Sequence, residues 1–272
     1  MKNESVVLVG CGNMGFAMLK GWIDSGSLKA GDVYVVEPNE GLRDRAAGAG
    51  VHAIASEADL PADLAPRMVL VAVKPQVMGA VLPPYRRFAG SATFVSVAAG
   101  IPVSFFETHL GKDTAIIRCM PNTPAAIGKG MLVTFNNANV SETDAQFVDG
   151  LLRTSGETAS VDDEALMDAV TAVSGSGPAY IFHFIEALTA AGIAAGLPEK
   201  TAGLLAMQTV YGAGALAAAS EDSPTKLREQ VTSPNGTTAA ALGVLMGEDR
   251  LTGLLTEAVE AARLRSIELG KA

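Results

Sequence analysis

The chain has 272 residues, 49% of them hydrophobic and 18% charged, with 29 acidic side chains against 20 basic ones and a formal net charge of −9. Such a composition supplies a large core and excludes a disordered chain or a coiled coil, while the negative balance argues against nucleic acid or an anionic membrane as partner. Two cysteines, Cys11 and Cys119, cannot build a disulfide framework, and the scattered His52, His109 and His183 offer no zinc spacing, so neither a metal nor an oxidising compartment is expected.

From Met1-Lys2-Asn3-Glu4 the sequence runs straight into an apolar Val6–Val9 without a signal-peptide core, which points to the cytoplasm. Short apolar runs recur at 33–36, 68–73, 93–97 and 114–117, bounded by turn residues, and read as strands buried on both faces of a parallel sheet. Helical patterns at 13–25 and 41–49 alternate with them, the signature of a doubly wound α/β sheet. Segments 131–135 and 158–161 are expected as edge strands, with a helix over 142–154 between them. Beyond about Asp162 the strand signal stops. Helices are expected over 164–173, 179–195, 199–219, 225–231, 237–246 and 250–270, broken at Gly- and Pro-containing turns. The sequence therefore divides into an N-terminal Rossmann domain, residues 1–161, and an all-α C-terminal domain, residues 162–272. Residues 201–220 carry no charge, yet are built of Ala and Gly with Gln208, Thr209 and Tyr211, too little apolar drive for insertion. They read as a helix buried in protein, at a subunit interface.

Gly10-Cys11-Gly12-Asn13-Met14-Gly15 is a G-x-G-x-x-G directly after the first strand and at the start of the first helix. Glycines there let the turn tighten and let backbone N–H groups approach a pyrophosphate at the positive end of the helix. The second strand ends at Glu37, placed to accept hydrogen bonds from the adenosine ribose and to repel a 2′-phosphate. Arg43 and Arg45, close behind, could soften that repulsion. Lys74-Pro75 follows the strand ending near Val73, and Val97-Ala98-Ala99-Gly100 ends the next, a small-residue floor suited to a flat nicotinamide ring. Arg118-Cys119-Met120-Pro121-Asn122-Thr123-Pro124 is a stiff loop that either holds a ligand amide or only connects. Ser174-Gly175-Ser176-Gly177-Pro178-Ala179-Tyr180 is an anion-facing helix start or an ordinary capped one. Ser233-Pro234-Asn235-Gly236-Thr237-Thr238 could bind a carboxylate through backbone N–H and hydroxyl donors, or serve as an N-cap and turn.

Together these segments, with Asp168-Ala169-Val170-Thr171 and Gly196-Leu197-Pro198, resemble the pyrroline-5-carboxylate reductase family over nearly the whole chain. The resemblance implies NADPH- or NADH-dependent hydride transfer to the C=N bond of 1-pyrroline-5-carboxylate, giving L-proline. It implies a cofactor over Val9, Gly10, Gly12, Asn13, Met14, Gly15, Glu37, Ala72, Val73, Lys74, Pro75, Val97, Ala98 and Ala99. By the same likeness the substrate carboxylate sits on Ser233, Gly236, Thr237 and Thr238, near Ser176, and Thr238 faces the ring nitrogen. Ser176, Ser233 and Thr238 are thus the expected catalytic set, with Glu164 and Glu221 secondary. A homodimer through the helical domain is implied, with further assembly of dimers. Glu37 departs from the Ser or Asn-Arg pattern of NADPH-preferring members and leans towards NADH. A β-hydroxyacid dehydrogenase would need a lysine facing the nicotinamide, and residues 174–186 contain none. A non-catalytic dinucleotide-sensing module is the remaining alternative.

Overall fold

The computed structural model describes residues 4–270; Met1, Lys2 and Asn3, the opening of the expected leaderless N-terminus, lie outside them. The chain parts into two compact units, one running to Ser176 and resuming at Ala262, the other comprising Gly177–Ala261.

The first unit is built on an eight-stranded sheet. In chain order its elements are β1 (Val6–Val9), α1 (Asn13–Asp24), β2 (Val33–Val36), α2 (Glu40–Ala47), β3 (His52–Ile54), β4 (Met68–Val71), α3 (Met78–Val81), β5 (Thr93–Ser96), α4 (Val103–Leu110), β6 (Ile116–Met120), β7 (Gly130–Asn136), α5 (Glu142–Leu152), β8 (Gly156–Ser160) and α6 (Met167–Val170). The strands lie in the order β3-β2-β1-β4-β5-β6-β7-β8, parallel throughout except where β7 runs against β6. Register aligns Val9 with both Val36 and Val71, and Val71 with Ser96, so β1, β2, β4 and β5 end level.

Alternation along β1 explains why both faces are covered. Val6 and Leu8 join Met18, Trp22, Leu151 and Leu152 on one side, whereas Val7 and Val9 join Leu82, Phe94 and Phe106 on the other. Period-two side chains with apolar residues at every position demand helices on both faces. Each fully buried large side chain contributes about 1.5–3 kcal/mol.

Four features depart from the sequence expectation. β7, expected at an edge, is interior, because α5 carries the chain onward to add β8 outside it in parallel register. β3 and α4 were not expected. The first is three residues long with an exposed His52, and the second opens behind Pro102 without a side-chain cap. The helix expected over 164–173 is a 3-10 turn, α6, and a π-turn at Thr171–Gly175, in which Ser176 N–H donates to Thr171 O (2.8 Å). At the π-turn Gly175 lies against Met120, where an added Cβ would meet the Met120 methyl.

The strand signal ends near residue 161, but the compact units divide later, after Ser176. Side-chain ties hold the intervening residues to the sheet. Arg118 Nη1 and Val103 N–H both donate to Glu164 Oε1 (2.6 and 2.8 Å), and Asn122 Nδ2 donates to Ser174 O (3.2 Å) while its Oδ1 accepts from Met131 N–H (2.9 Å). The returning segment from Ala262 joins them: Ser266 Oγ and Asp168 Oδ1 are 2.6 Å apart, and Gly100, at φ +77°, packs against Leu269 and Gly270.

The second unit contains α7 (Gly177–Ala194), α8 (Glu199–Ala219), α9 (Pro224–Gln230), α10 (Thr237–Met246) and most of α11 (Arg250–Leu269). α7 and α8 approach closely where Gly192 meets Ala202 and Leu197, joined through Gly196 at φ +100°. Small residues permit such an approach and leave little to bury: in this unit only Ala202 and Ala206 are buried. Ile181, Phe182, Leu204, Tyr211, Leu216, Val244 and Leu254 are exposed. α8 is, among the described residues, the one helix long and apolar enough to cross a membrane.

Candidate active site

In an open parallel sheet, ligands bind outside the carboxyl ends of the strands, where strand order reverses. Here that point lies between β1 and β4, and the expected cofactor residues of the first unit converge on it. Gly10 N–H donates to Val36 O (2.9 Å), Ala72 N–H to Val9 O (2.8 Å) and Val97 N–H to Val71 O (3.2 Å). Gly10 has φ +87°, and a Cβ there would stand 2.8 Å from Val73 Cγ1 and 3.0 Å from Ala72 O. At Gly15 a Cβ would come 2.5 Å from Gly10 O. These two positions need glycine for α1 to close on the strand ends; Gly12 does not, since nothing lies within 4 Å of its would-be Cβ.

That open side is where a ligand would lie. Gly12 caps α1 with no side-chain hydrogen bond, which leaves the N–H groups of the first turn to a ligand. Met14 and Gly15 continue into the helix behind an exposed Asn13. The floor is small: Ser96, 1% exposed, accepts from Ala98 N–H (3.3 Å), and Val97, Ala98 and Ala99 follow at the end of β5. Lys74 stands exposed behind β4, with Pro75 opening a 3-10 turn. An uncapped helix start, close backbone approach and an open glycine suit an extended dinucleotide.

Glu37 ends this arrangement on the β2 side. It is 7% exposed, and its carboxylate accepts from Cys11 N–H (2.7 Å, Oε2) and Asn39 N–H (2.9 Å, Oε1). The two arginines behind it are bound to backbone oxygens. Arg43 Nη1 donates to Glu37 O (3.1 Å) and Pro38 O (3.0 Å), and Arg45 Nη2 to Cys11 O (2.7 Å) and Gly12 O (3.1 Å). Sequence spacing located these charges but could not say which oxygens they reach. Burial pushes the Cys11 thiol up to about 11, Arg45 drawing it down and Glu37 raising it, and burial alone takes Cys119 up to about 12. Neither thiol is a nucleophile near neutrality. Among the described residues no group of three or more His, Cys, Asp or Glu could hold a metal ion.

In the second unit the hydroxyl-bearing loop opens α10. Gly236 N–H donates to Ser233 O (3.0 Å), closing a turn in which Asn235 has φ +58°. Gly236 then caps α10 with no side-chain hydrogen bond. Ser233 and Thr237 are exposed and Thr238 half-buried. Bare first-turn N–H groups beside three hydroxyls are donors without acceptors, suited to a carboxylate. Ser176, half-buried, closes the π-turn of the first unit. Glu164 and Arg118, tied together, are a structural pair that the sequence alone did not bring together.

Two family models match the chain. The family model for pyrroline-5-carboxylate reductase dimerisation matches residues 164–269, and that for NADP oxidoreductase, coenzyme F420-dependent, matches residues 5–100. A pyrroline-5-carboxylate reductase of Pseudomonas aeruginosa is 39% identical, the match covering 100% of this chain and 98% of that one. One from Pisum sativum is 38% identical over 96% of this chain and 94% of that one. The structure of a pyrroline-5-carboxylate reductase from Coxiella burnetii superposes with a TM-score of 0.93 at 33% identity, covering all of both chains. The enzyme from Plasmodium falciparum, solved with NADP bound, gives 0.84 at 29% identity over 99% of each.

Proposed function

Since the chain belongs to the pyrroline-5-carboxylate reductase family, we infer that its first unit holds NAD(P)H and its helical unit the cyclic imine that is reduced to proline. When bound, the reduced nicotinamide supplies the hydride that the C=N carbon accepts. A protonated imine is already electrophilic, so the protein's task is positioning and exclusion of water rather than base catalysis.

The start of α10 carries this reading. Its uncapped N–H groups and the Ser233 and Thr237 hydroxyls are assigned to the substrate carboxylate, with Gly236 allowing close approach. Thr238 is assigned to the ring nitrogen, whose proton its hydroxyl holds in place. Ser176 is assigned to the same substrate. On the cofactor side, the start of α1 takes the pyrophosphate, and the Val97-Ala98-Ala99 floor together with Lys74 and Pro75 borders the nicotinamide.

Of the two cofactors we assign NADH as the preferred one. Glu37 holds a carboxylate where a 2′-phosphate would need cations, and Arg43 and Arg45 already serve backbone carbonyls. For the helical unit we propose a homodimer, built by the apolar side chains that α7, α8, α10 and α11 leave exposed, and a cytoplasmic location. Larger assemblies would stack such dimers.

One assay tests the reading. Purified protein is mixed with 1-pyrroline-5-carboxylate and each reduced cofactor in turn, following nicotinamide absorbance. Oxidation with both and a higher kcat/KM for NADH is expected; binding of NADH without oxidation by any cyclic imine would favour a sensor instead.

A further inference from the structure

We propose that Arg45 is a positioning residue for dinucleotide binding: it aims the N–H groups of Gly12 and Asn13 by gripping the carbonyls on the other side of the same peptides. The inference rests on the dinucleotide reading above and concerns how that site is kept in shape.

In a trans peptide the C=O and the following N–H point in opposite directions. Arg45 Nη2 donates to Cys11 O (2.7 Å) and Gly12 O (3.1 Å), so the Gly12 and Asn13 N–H groups face away from the guanidinium. Gly12 O also accepts the first bond of α1, from Phe16 N–H (2.9 Å), which ties the grip to the helix itself. The Phe16 ring lies under the guanidinium, 4.2 Å from Arg45 Cζ to the ring centroid, and fixes its plane. Glu37 completes the arrangement from the other side by accepting Cys11 N–H (2.7 Å). The Cys11 donor is thereby withdrawn from any ligand, and the next two are left directed.

The grip answers a specific weakness. A loop with glycine at two of its first three positions has many backbone states to lose on binding, and fixing them beforehand raises affinity. Arg45 is held by α2, a separate element, so the loop is braced from outside. Its Nε is buried with no hydrogen-bond partner among the described residues. A side chain that leaves a buried donor unpaired is held there by its other bonds, here the two carbonyls and the ring.

The test compares wild type with Arg45→Met, which removes charge and grip, and Arg45→Lys, which keeps the charge but lacks the planar guanidinium that stacks on Phe16. Binding of NADH, ADP-ribose and reduced nicotinamide mononucleotide is measured by isothermal titration. Both variants are expected to bind NADH and ADP-ribose about tenfold more weakly, the loss expected for one charge-assisted bond. The mononucleotide, which lacks the pyrophosphate, should be unaffected. In turnover, KM for NADH should rise by the same factor with kcat and the imine KM unchanged. Wild-type affinity in Arg45→Met overturns the proposal, and so does wild-type affinity in Arg45→Lys, since charge alone would then suffice. Should Arg45→Met fail to fold, Phe16→Leu replaces it, with a smaller weakening in the same direction expected and none counting against the grip. A wild-type protein that binds neither NADH nor ADP-ribose sinks the dinucleotide reading itself, a different failure.

Discussion

The two units solve the problem of burial in opposite ways. Strands of the first unit present apolar side chains to both faces and find them covered within the same chain, from Trp22 and Met18 on one side to Phe94 and Phe106 on the other. The helical unit buries only Ala202 and Ala206 while Leu204, 69% exposed, and Tyr211, 68% exposed, face outward. A two-sided sheet can be completed by its own crossovers. A set of small-residue helices brings its backbones close but runs out of side chains to bury, and in the homodimer proposed above its stability would be linked by mass action to a second chain.

The contrast is broken most strongly at its weak side. Leu204→Lys puts a charge where a partner should be, at a cost of about 3 kcal/mol or more per buried unpaired charge. Sedimentation should show loss of assembly, and a dimer that survives would mean that this face of α8 is not the one used. A substitution inside the first unit should act without any concentration dependence. Gly15→Ala, whose Cβ would meet Gly10 O at 2.5 Å, should cost roughly 1–3 kcal/mol, read as a lower melting temperature that is the same at all protein concentrations.

Function gives smaller, sharper tests. Thr238→Ala should lower turnover about a hundredfold while dinucleotide affinity stays near wild type; an unchanged rate removes the hydroxyl from the mechanism. Glu37→Gln keeps an acceptor for a backbone N–H but drops the charge, and should shift the NADH-to-NADPH ratio of kcat/KM about tenfold towards NADPH. Least of all, iodoacetamide at pH 8 should barely label the native protein. With burial holding Cys11 up to about 11, roughly one thiolate in a thousand is present. Thiolate would grow only as pH rises towards that value, and unfolding should expose both cysteines.

What could be read from the sequence follows from range. β1 and β4 are continuous apolar runs, and α1, α8 and α10 begin at a marked turn, so local pattern suffices for each. β3 is a three-residue edge strand that pairs only with β2, and its register lies in β2 rather than in itself. β7 reads locally as a strand, but its interior place depends on where α5 delivers β8. In the site, glycine spacing marked the turn into α1 because backbone geometry demands it at Gly10 and Gly15. Arg43 and Arg45 were legible as charges beside Glu37, whereas their acceptors, up to 34 residues away, belong to tertiary structure. Asn122, ambiguous as part of a stiff loop, proves to hold Met131 N–H and Ser174 O at once.

The return of residues from Ala262 onward to the first unit has a consequence for synthesis. The turn at Gly100 stays uncovered, and Asp168 lacks its serine partner, until residues 266–270 have been translated. All of Gly177–Ala261 emerges from the ribosome in between. The sheet therefore cannot be sealed beside its β5 end before the helices are made.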